Sequence, residues 1–271
     1  MSHESLTLKR GNQVPLLISV PHSGAELPED LLDQFLELGK QSQDSDWFTD
    51  LLYGPIADTL GGSIIVPRYS RYLIDLNRPA NNENLYPGQV STGLCPTLSF
   101  EGDPLYVEGC EPDEAEELRR IEKYWRPYHT ALKEELARLT KRFGYALLWE
   151  GHSIRSEVPR LFTGRLPDFN LGTHSGQACA SPVSDAIEKA LEQGRGEWTT
   201  VSNGRFKGGF ITRNYGAPHQ SQHAVQLELS QRVYLRDELL PRWDEGAAAP
   251  ARALIVKLIQ AGLDALESLA L

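Results

Sequence analysis

Two apolar stretches of this chain each lead into a histidine-serine pair: VPLLISVPHSG at 14–24 and YALLWEGHSIRS at 145–156. His22 and His152 therefore stand where buried strands are expected to stop, and ligands of open α/β sheets collect beyond the carboxyl ends of the strands. Either imidazole alone is as readily a loop residue bonded to nearby backbone as a ligand. Two of them, delivered to the same setting from distant parts of the chain, point to a shared metal or catalytic centre. A zinc-type hydrolytic site takes three protein ligands and keeps one position for water. The third ligand stays open among carboxylates: Asp44 and Asp46 in QDSDWF, or Glu26 four residues after His22. Asp46 is equally suited to cap a helix.

Other residues compete for roles around such a centre. Glu150 lies two positions before His152 and could orient a histidine or be a plain strand-end charge. Glu228, in the alternating segment QLELS, is placed to take a proton from an activated water; its bland alternative is a solvent-facing carboxylate. The HQSQH pair His219 and His223 lacks the glutamate of the helical HExxH signal and ranks below His22 and His152. Ser23 and Ser153 are candidate nucleophiles, but GHSIR is not GxSxG. Arg68, Arg71, Arg78, Arg155, Arg160, Arg205 and Arg213 recur beside the candidate residues, and guanidinium groups suit planar recognition of carboxylates. Some must be surface charges or internal ties, with Asp75 available to pair with one. GRFKGG at 204–209 fits no phosphate-loop pattern.

The elements that must carry these residues alternate. We expect strands at 14–20, 63–67, 72–79, around 145–150 and in AVQLELS, with GFITRNYG as another extended segment. Helices are expected over 28–39, over part of 46–60 with Pro55 as an end, a kink or a new first turn, from Asp113 to about Arg142 with Pro127 bending or dividing it, over 183–192 and over 249–269. Residues 80–112 are rich in Asn, Gly and Pro, and a connection this long builds or covers a site. The pattern predicts a layered α/β fold with a central sheet, and the absence of a linker predicts a single domain over 1–271.

Composition narrows the function classes. A net charge of -10 without a dense basic block argues against nucleic acid, while a few arginines can still make one positive pocket for an anion. Three widely spaced cysteines make neither a disulfide framework nor a zinc knuckle. No stretch approaches membrane-spanning length and the first residues lack an apolar leader core, so a cytoplasmic protein without a membrane partner is expected. Oligomeric state is not legible.

At these same residues the chain resembles the N-formylglutamate deformylase (N-formylglutamate amidohydrolase) family. The matching stretches are VPHSG (20–24), DSDW (44–47), SRYLIDLNRP (70–79), LYPG (85–88), FEGDPLY (100–106), EGHSIRSEVPRLFTGRLPDFNLGT (150–173), NGRFKGGFITRNYG (203–216) and HAVQLELSQ (223–231). The resemblance implies a three-layer α/β sandwich with a mixed sheet, akin to metal-dependent carboxypeptidases and amidases. It also implies hydrolysis of N-formyl-L-glutamate to formate and L-glutamate at the end of a histidine-degradation route. Carried over residue by residue, it makes His22, Asp46 and His152 ligands of a divalent metal, Zn²⁺ first and Co²⁺, Mn²⁺, Ni²⁺ or Fe²⁺ as alternatives. Glu228 becomes the base; beside this carry-over we expect Arg155 as the oxyanion partner and Arg71, Asn77, Arg78 and Arg213 as the substrate-binding set. Three positions depart from the family pattern: Gly151 stands where relatives have alanine, Glu150 where they have aspartate, and Phe48 where many have histidine. The rival readings are a metal-dependent amidohydrolase for another acidic N-acyl amino acid and a non-catalytic carboxylate-binding protein.

Overall fold

The computed structural model describes residues 2–85, 88 and 90–270; Tyr86 and Pro87 of the LYPG stretch lie outside them. Its principal sheet has eight strands: β1 (Ser2–His3), β2 (Leu6–Lys9), β3 (Leu16–Ser19), β4 (Ser63–Pro67), β5 (Ala146–Ile154), β6 (Phe169–Gly172), β7 (Thr200–Ser202) and β8 (Gln222–Ser230). Their spatial order is β1-β2-β4-β3-β5-β8-β6-β7. The four central strands β4, β3, β5 and β8 run parallel, while β2 pairs antiparallel with β4 and β6 antiparallel with β8, so the sheet is mixed.

The order of connections fixes where a site can open. From β3 the chain moves to one side, to β4, through α2 (Thr49–Leu60), following the short α1 (Glu37–Lys40). It then returns to the other side of β3, to β5, through α3 (Glu114–Arg120) and α4 (Arg126–Phe143). Right-handed crossovers in opposite directions put their helices on opposite faces of the sheet. The two cores agree. Leu16, Ile18, Leu147, Trp149 and Leu227 pack with α2, α5 (Ser181–Gly194) and α7 (Glu245–Ala270), whereas Leu17, Leu148 and Ala224 pack with α4. The carboxyl ends of β3 and β5 consequently diverge at the topological switch point, leaving a crevice there.

Local sequence explains most elements. Asp113 starts α3 by accepting the Glu116 amide at 2.8 Å. A π turn at Ile121–Trp125 joins α3 to α4 immediately before Pro127. A proline there cannot donate to the preceding turn, and the widened turn absorbs the missing bond. Pro55 lies inside α2 without ending it.

Several expectations need correction. Residues 72–79 form turns and not a strand, because the Asp75 carboxylate takes the backbone amide of Asn77 at 2.9 Å and turns the chain locally. GFITRNYG is not extended but carries α6 (Phe210–Tyr215), whose Ile211 amide is capped by the distant Asn77 side chain at 2.8 Å. The segment 28–39 holds a 3-10 helix at Glu29–Gln34 and the start of α1 in place of one continuous helix. His152 lies within β5 and not beyond it, since β5 outruns its partner β3, whose last paired residue Ser19 faces Glu150. Among the described residues no helix is long and apolar enough to cross a membrane.

Candidate metal centre

The crevice at the switch point gathers residues from widely separated segments. β5 sends Glu150 and His152 to the face that packs α4, and β8 places Gln226 and Glu228 directly beside them in register. Three residues past β3, the loop turns His22 back over this edge, and the His22 carbonyl accepts the Asp46 amide at 2.9 Å. That bond ties the DSDW loop to the histidine loop. His22, Asp46, Arg71, Asn77, Arg78, His152 and Glu228 line one cavity, together with Phe100, Arg205 and Phe206.

The histidines are held so that one nitrogen of each faces inward. His22 Nε2 donates to Asp75 Oδ1 at 2.7 Å, which leaves Nδ1 as a lone pair. This Nδ1 is buried, has no hydrogen-bond partner, and faces Asp46 Oδ2 at 3.7 Å. His152 Nε2 donates to Glu150 Oε1 at 2.8 Å, turning its Nδ1 to within 2.8 Å of the same Asp46 oxygen. The Asn77 amide nitrogen lies 3.0 Å from His152 Nε2 but cannot accept its proton, so Glu150 takes it. The potential ligand atoms of His22, Asp46 and His152 lie within 4.8 Å of one another.

This donor set fits a divalent cation. A buried polar atom left unpaired costs roughly 1–3 kcal/mol, and two lone-pair atoms facing each other cost more, unless something positive lies between them. Asp75 and Glu150 hold the far nitrogens of the two histidines, and Asp46 offers a carboxylate oxygen to the near ones. Outer carboxylates on the far ring nitrogens are the usual supports of metal-binding histidines.

The electrostatics follow from burial and neighbours. Burial and the nearby Arg71 guanidinium push His22 down, against Asp75 and Asp46, so it stays neutral and able to coordinate. Burial also disfavours charge on His152, but Glu150 and Asp46 outweigh it and raise the imidazole well above its usual range. Burial would lift Asp75, yet His22, Arg78 and Arg71 hold its carboxyl well below the ordinary carboxylate value. For Glu228 burial wins: the carboxyl is pushed up to about 8 despite the pull of His152.

Other candidates are placed elsewhere. Arg155 pairs with Glu101 at 2.7 Å and lines a separate depression, and Arg213 binds the carbonyls of Gly208 and Leu85; neither lines the cavity. Glu26 pairs with Arg68 at the surface, Arg160 reaches the Ser99 carbonyl, and Asp44 accepts the Phe100 amide at 2.6 Å. His219 is exposed, and His223 accepts the Ala180 amide. Ser23 donates to the Val20 carbonyl, and Ser153 bonds Tyr234, whose hydroxyl donates to the Trp47 carbonyl. The two serines are thus used by the scaffold.

Two departures from the family pattern acquire physical reasons. A Cβ at Gly151 would lie 2.4 Å from the Tyr53 ring, so the glycine accommodates that packed tyrosine. Phe48, in the left-handed region at φ 60°, packs between Trp47 and Trp243 and takes no part in the ligand cluster. Sequence reasoning missed Asp75 as the anchor of His22, and it missed Phe100, Phe206 and Gln226 as walls. Only their presence in the matched stretches hinted at them.

Comparison with known proteins bears on this geometry. The family model described as N-formylglutamate amidohydrolase matches residues 14–235. The chain belongs to this family. It is 45% identical over 249 residues to an N-formylglutamate deformylase of Pseudomonas putida, covering 92% of each chain. It is 46% identical over 257 residues to the N-formylglutamate deformylase of Pseudomonas aeruginosa, covering 95% of each. Among solved structures, an N-formylglutamate amidohydrolase from Ralstonia eutropha superposes with a TM-score of 0.78 at 26% identity, covering 95% of this chain and 97% of that one. The candidate site residues from His22 to Glu228 lie within the span that the family model matches.

Proposed function

We propose that this enzyme hydrolyses N-formyl-L-glutamate to formate and L-glutamate with a divalent metal, Zn²⁺ by preference, held by His22, Asp46 and His152. The observation that carries the reading is the inward-facing, unpartnered Nδ1 of His22 beside Asp46 and His152, in a cavity shared with Glu228 and arginines. The relatives in Pseudomonas supply the substrate. Two imidazole nitrogens and one carboxylate suit Zn²⁺ and leave a position for water. The bound metal supplies Lewis acidity, polarising the formyl oxygen and making water a better nucleophile.

The chain's own residues account for the proton and the substrate's charge. As the water oxygen bonds to the formyl carbon, Glu228 accepts the water proton; as the C–N bond breaks, it returns that proton to the departing glutamate nitrogen. A dication bound beside it would favour the carboxylate that takes the proton, and burial favours the protonated form that hands it on. Arg71 is already engaged by Asp75 at 2.7 Å and stacks 4.8 Å from the Phe100 ring, so it fixes the positive edge of the site. Arg78 and Arg205 line the cavity and are assigned the substrate carboxylates, with Asn77 between His152 and the substrate. Phe100, Phe206 and Leu161 form apolar walls.

Formate release tests the reading. Protein reconstituted with Zn²⁺ is expected to release formate from N-formylglutamate, with kcat/KM for N-formylglutamine lower by roughly 10–100-fold because an arginine is left without its carboxylate. Absence of formate from metal-loaded protein would refute catalysis; equal rates on the two substrates would refute the two-carboxylate pocket.

A further inference from the structure

The stretch NGRFKGGFITRNYG contributes Arg205 and Phe206 to the cavity wall, and its second half folds as α6 against the sheet. Its hydrogen bonds hold it there. The Gly209 amide donates to the Gln226 side chain at 2.8 Å, the Ile211 amide to Asn77 at 2.8 Å, and the Thr212 hydroxyl to Glu150 Oε2. Gly209 has to be glycine for this approach, since a Cβ there would lie 2.3 Å from the Asn77 amide. Thr212 and Glu150 are both fully buried.

Glu150 has two oxygens with distinct duties. Oε1 accepts the His152 Nε2 proton, and Oε2 takes the Thr212 hydroxyl. We propose that Thr212 is a positioning residue for the metal: by saturating Oε2 it keeps Glu150 aimed at His152 Nε2, which holds His152 Nδ1 toward Asp46 and His22. The inference rests on the reading of His22, Asp46 and His152 as the metal cradle. Without the hydroxyl, a buried carboxylate oxygen is left bare, which is costly enough for the group to turn in search of another donor. The Asn77 amide nitrogen, 3.0 Å from His152 Nε2, is one donor beside the ring. Glu150 would then release the ring, and His152 would lose the support that keeps its Nδ1 turned to the cluster. The chain Thr212–Glu150–His152–Asp46 thus links α6 to the site through side chains that are all buried.

The test compares full-length wild type with Thr212→Val, Thr212→Ala and Thr212→Ser, each stripped of metal and titrated with Co²⁺ against a chromophoric chelator. Affinity and the visible Co²⁺ spectrum are read directly, with no dependence on turnover. Thr212→Val, which keeps the shape and loses the hydroxyl, should bind Co²⁺ roughly 10–100-fold more weakly with an altered spectrum, the size usual for lost outer carboxylate support. Thr212→Ser, which keeps the hydroxyl, should stay within about threefold of wild type. If Thr212→Val does not fold, the Ala and Ser pair decides in the same way. Wild-type affinity and spectrum in Thr212→Val or Thr212→Ala would overturn the role of Thr212 while leaving the cradle intact. Failure of the wild type itself to bind Co²⁺ would overturn the cradle and this inference together.

Discussion

His22 and His129 are both buried, both flanked by aromatic or imidazole rings, and both sit under the same sheet, yet they solve opposite problems. His129, on α4, has each nitrogen engaged: Nδ1 with the Tyr215 hydroxyl at 2.9 Å and Nε2 with the Leu76 carbonyl at 2.9 Å. Its ring stacks 3.8 Å from that of Trp125. Burial holds it neutral, its pKa pushed down to about 3. His22 has one nitrogen engaged and one facing a carboxylate without a proton between them. A buried polar group with every bond made is part of the scaffold; one left open at a switch point, with its far side anchored, is a ligand in waiting. The same contrast separates Glu135, which receives Arg10, Arg138 and Ser63, from Glu228, which lines the cavity.

The contrast can be broken experimentally, the largest effect first. His22→Ala should abolish metal binding and reduce formate release on the order of 10⁴-fold, whereas His129→Ala should keep stoichiometric metal and lower stability instead. Metal analysis and activity on both variants decide it; metal lost from the His129 variant alone would reverse the assignment. Glu228→Gln should keep its metal and lose roughly 10³-fold in kcat, the scale of a general base, and a loss expressed mainly in KM would remove Glu228 from proton transfer.

Stability against pH gives a smaller, sharper distinction. The folded pKa of His129 lies below the unfolded value near 6.5, so the unfolded chain takes the proton first. Its contribution is complete above pH 6.5 and declines by about 1.4 kcal/mol per pH unit down to about pH 3. His129→Gln cannot titrate, so the stability gap between wild type and variant should shift by roughly 2–3 kcal/mol between pH 6.5 and 4.5 in urea unfolding. A constant gap would mean that His129 is protonated in the fold. Smallest is Arg205→Ala, expected to raise KM for N-formylglutamate about 10-fold or somewhat more and to narrow its preference over N-formylglutamine.

How far the sequence reveals this site depends on what holds each part. His22, His152 and Glu228 end or occupy apolar segments, and strand burial is a local pattern, so they stand out in the chain itself. Asp46 gains its place only through the family resemblance, because an aspartate before a helix reads equally well as a cap. Asp75 was legible as an arginine partner but not as the anchor of His22, since that contact spans 53 residues. The helix at 210–215 was hidden because its cap comes from Asn77 and its buried threonine answers a carboxylate on β5. The arginines illustrate the limit most plainly. Arg155 follows His152 in sequence yet pairs with Glu101, while Arg205, far from either histidine in sequence, lines the cavity.

The most direct test is a crystal of the full-length chain grown with Zn²⁺ and measured at the zinc absorption edge. One anomalous peak bonded to His22 Nδ1, Asp46 and His152 Nδ1 is the predicted result. No peak there, or zinc bound at His219 and His223 in its place, would contradict the account.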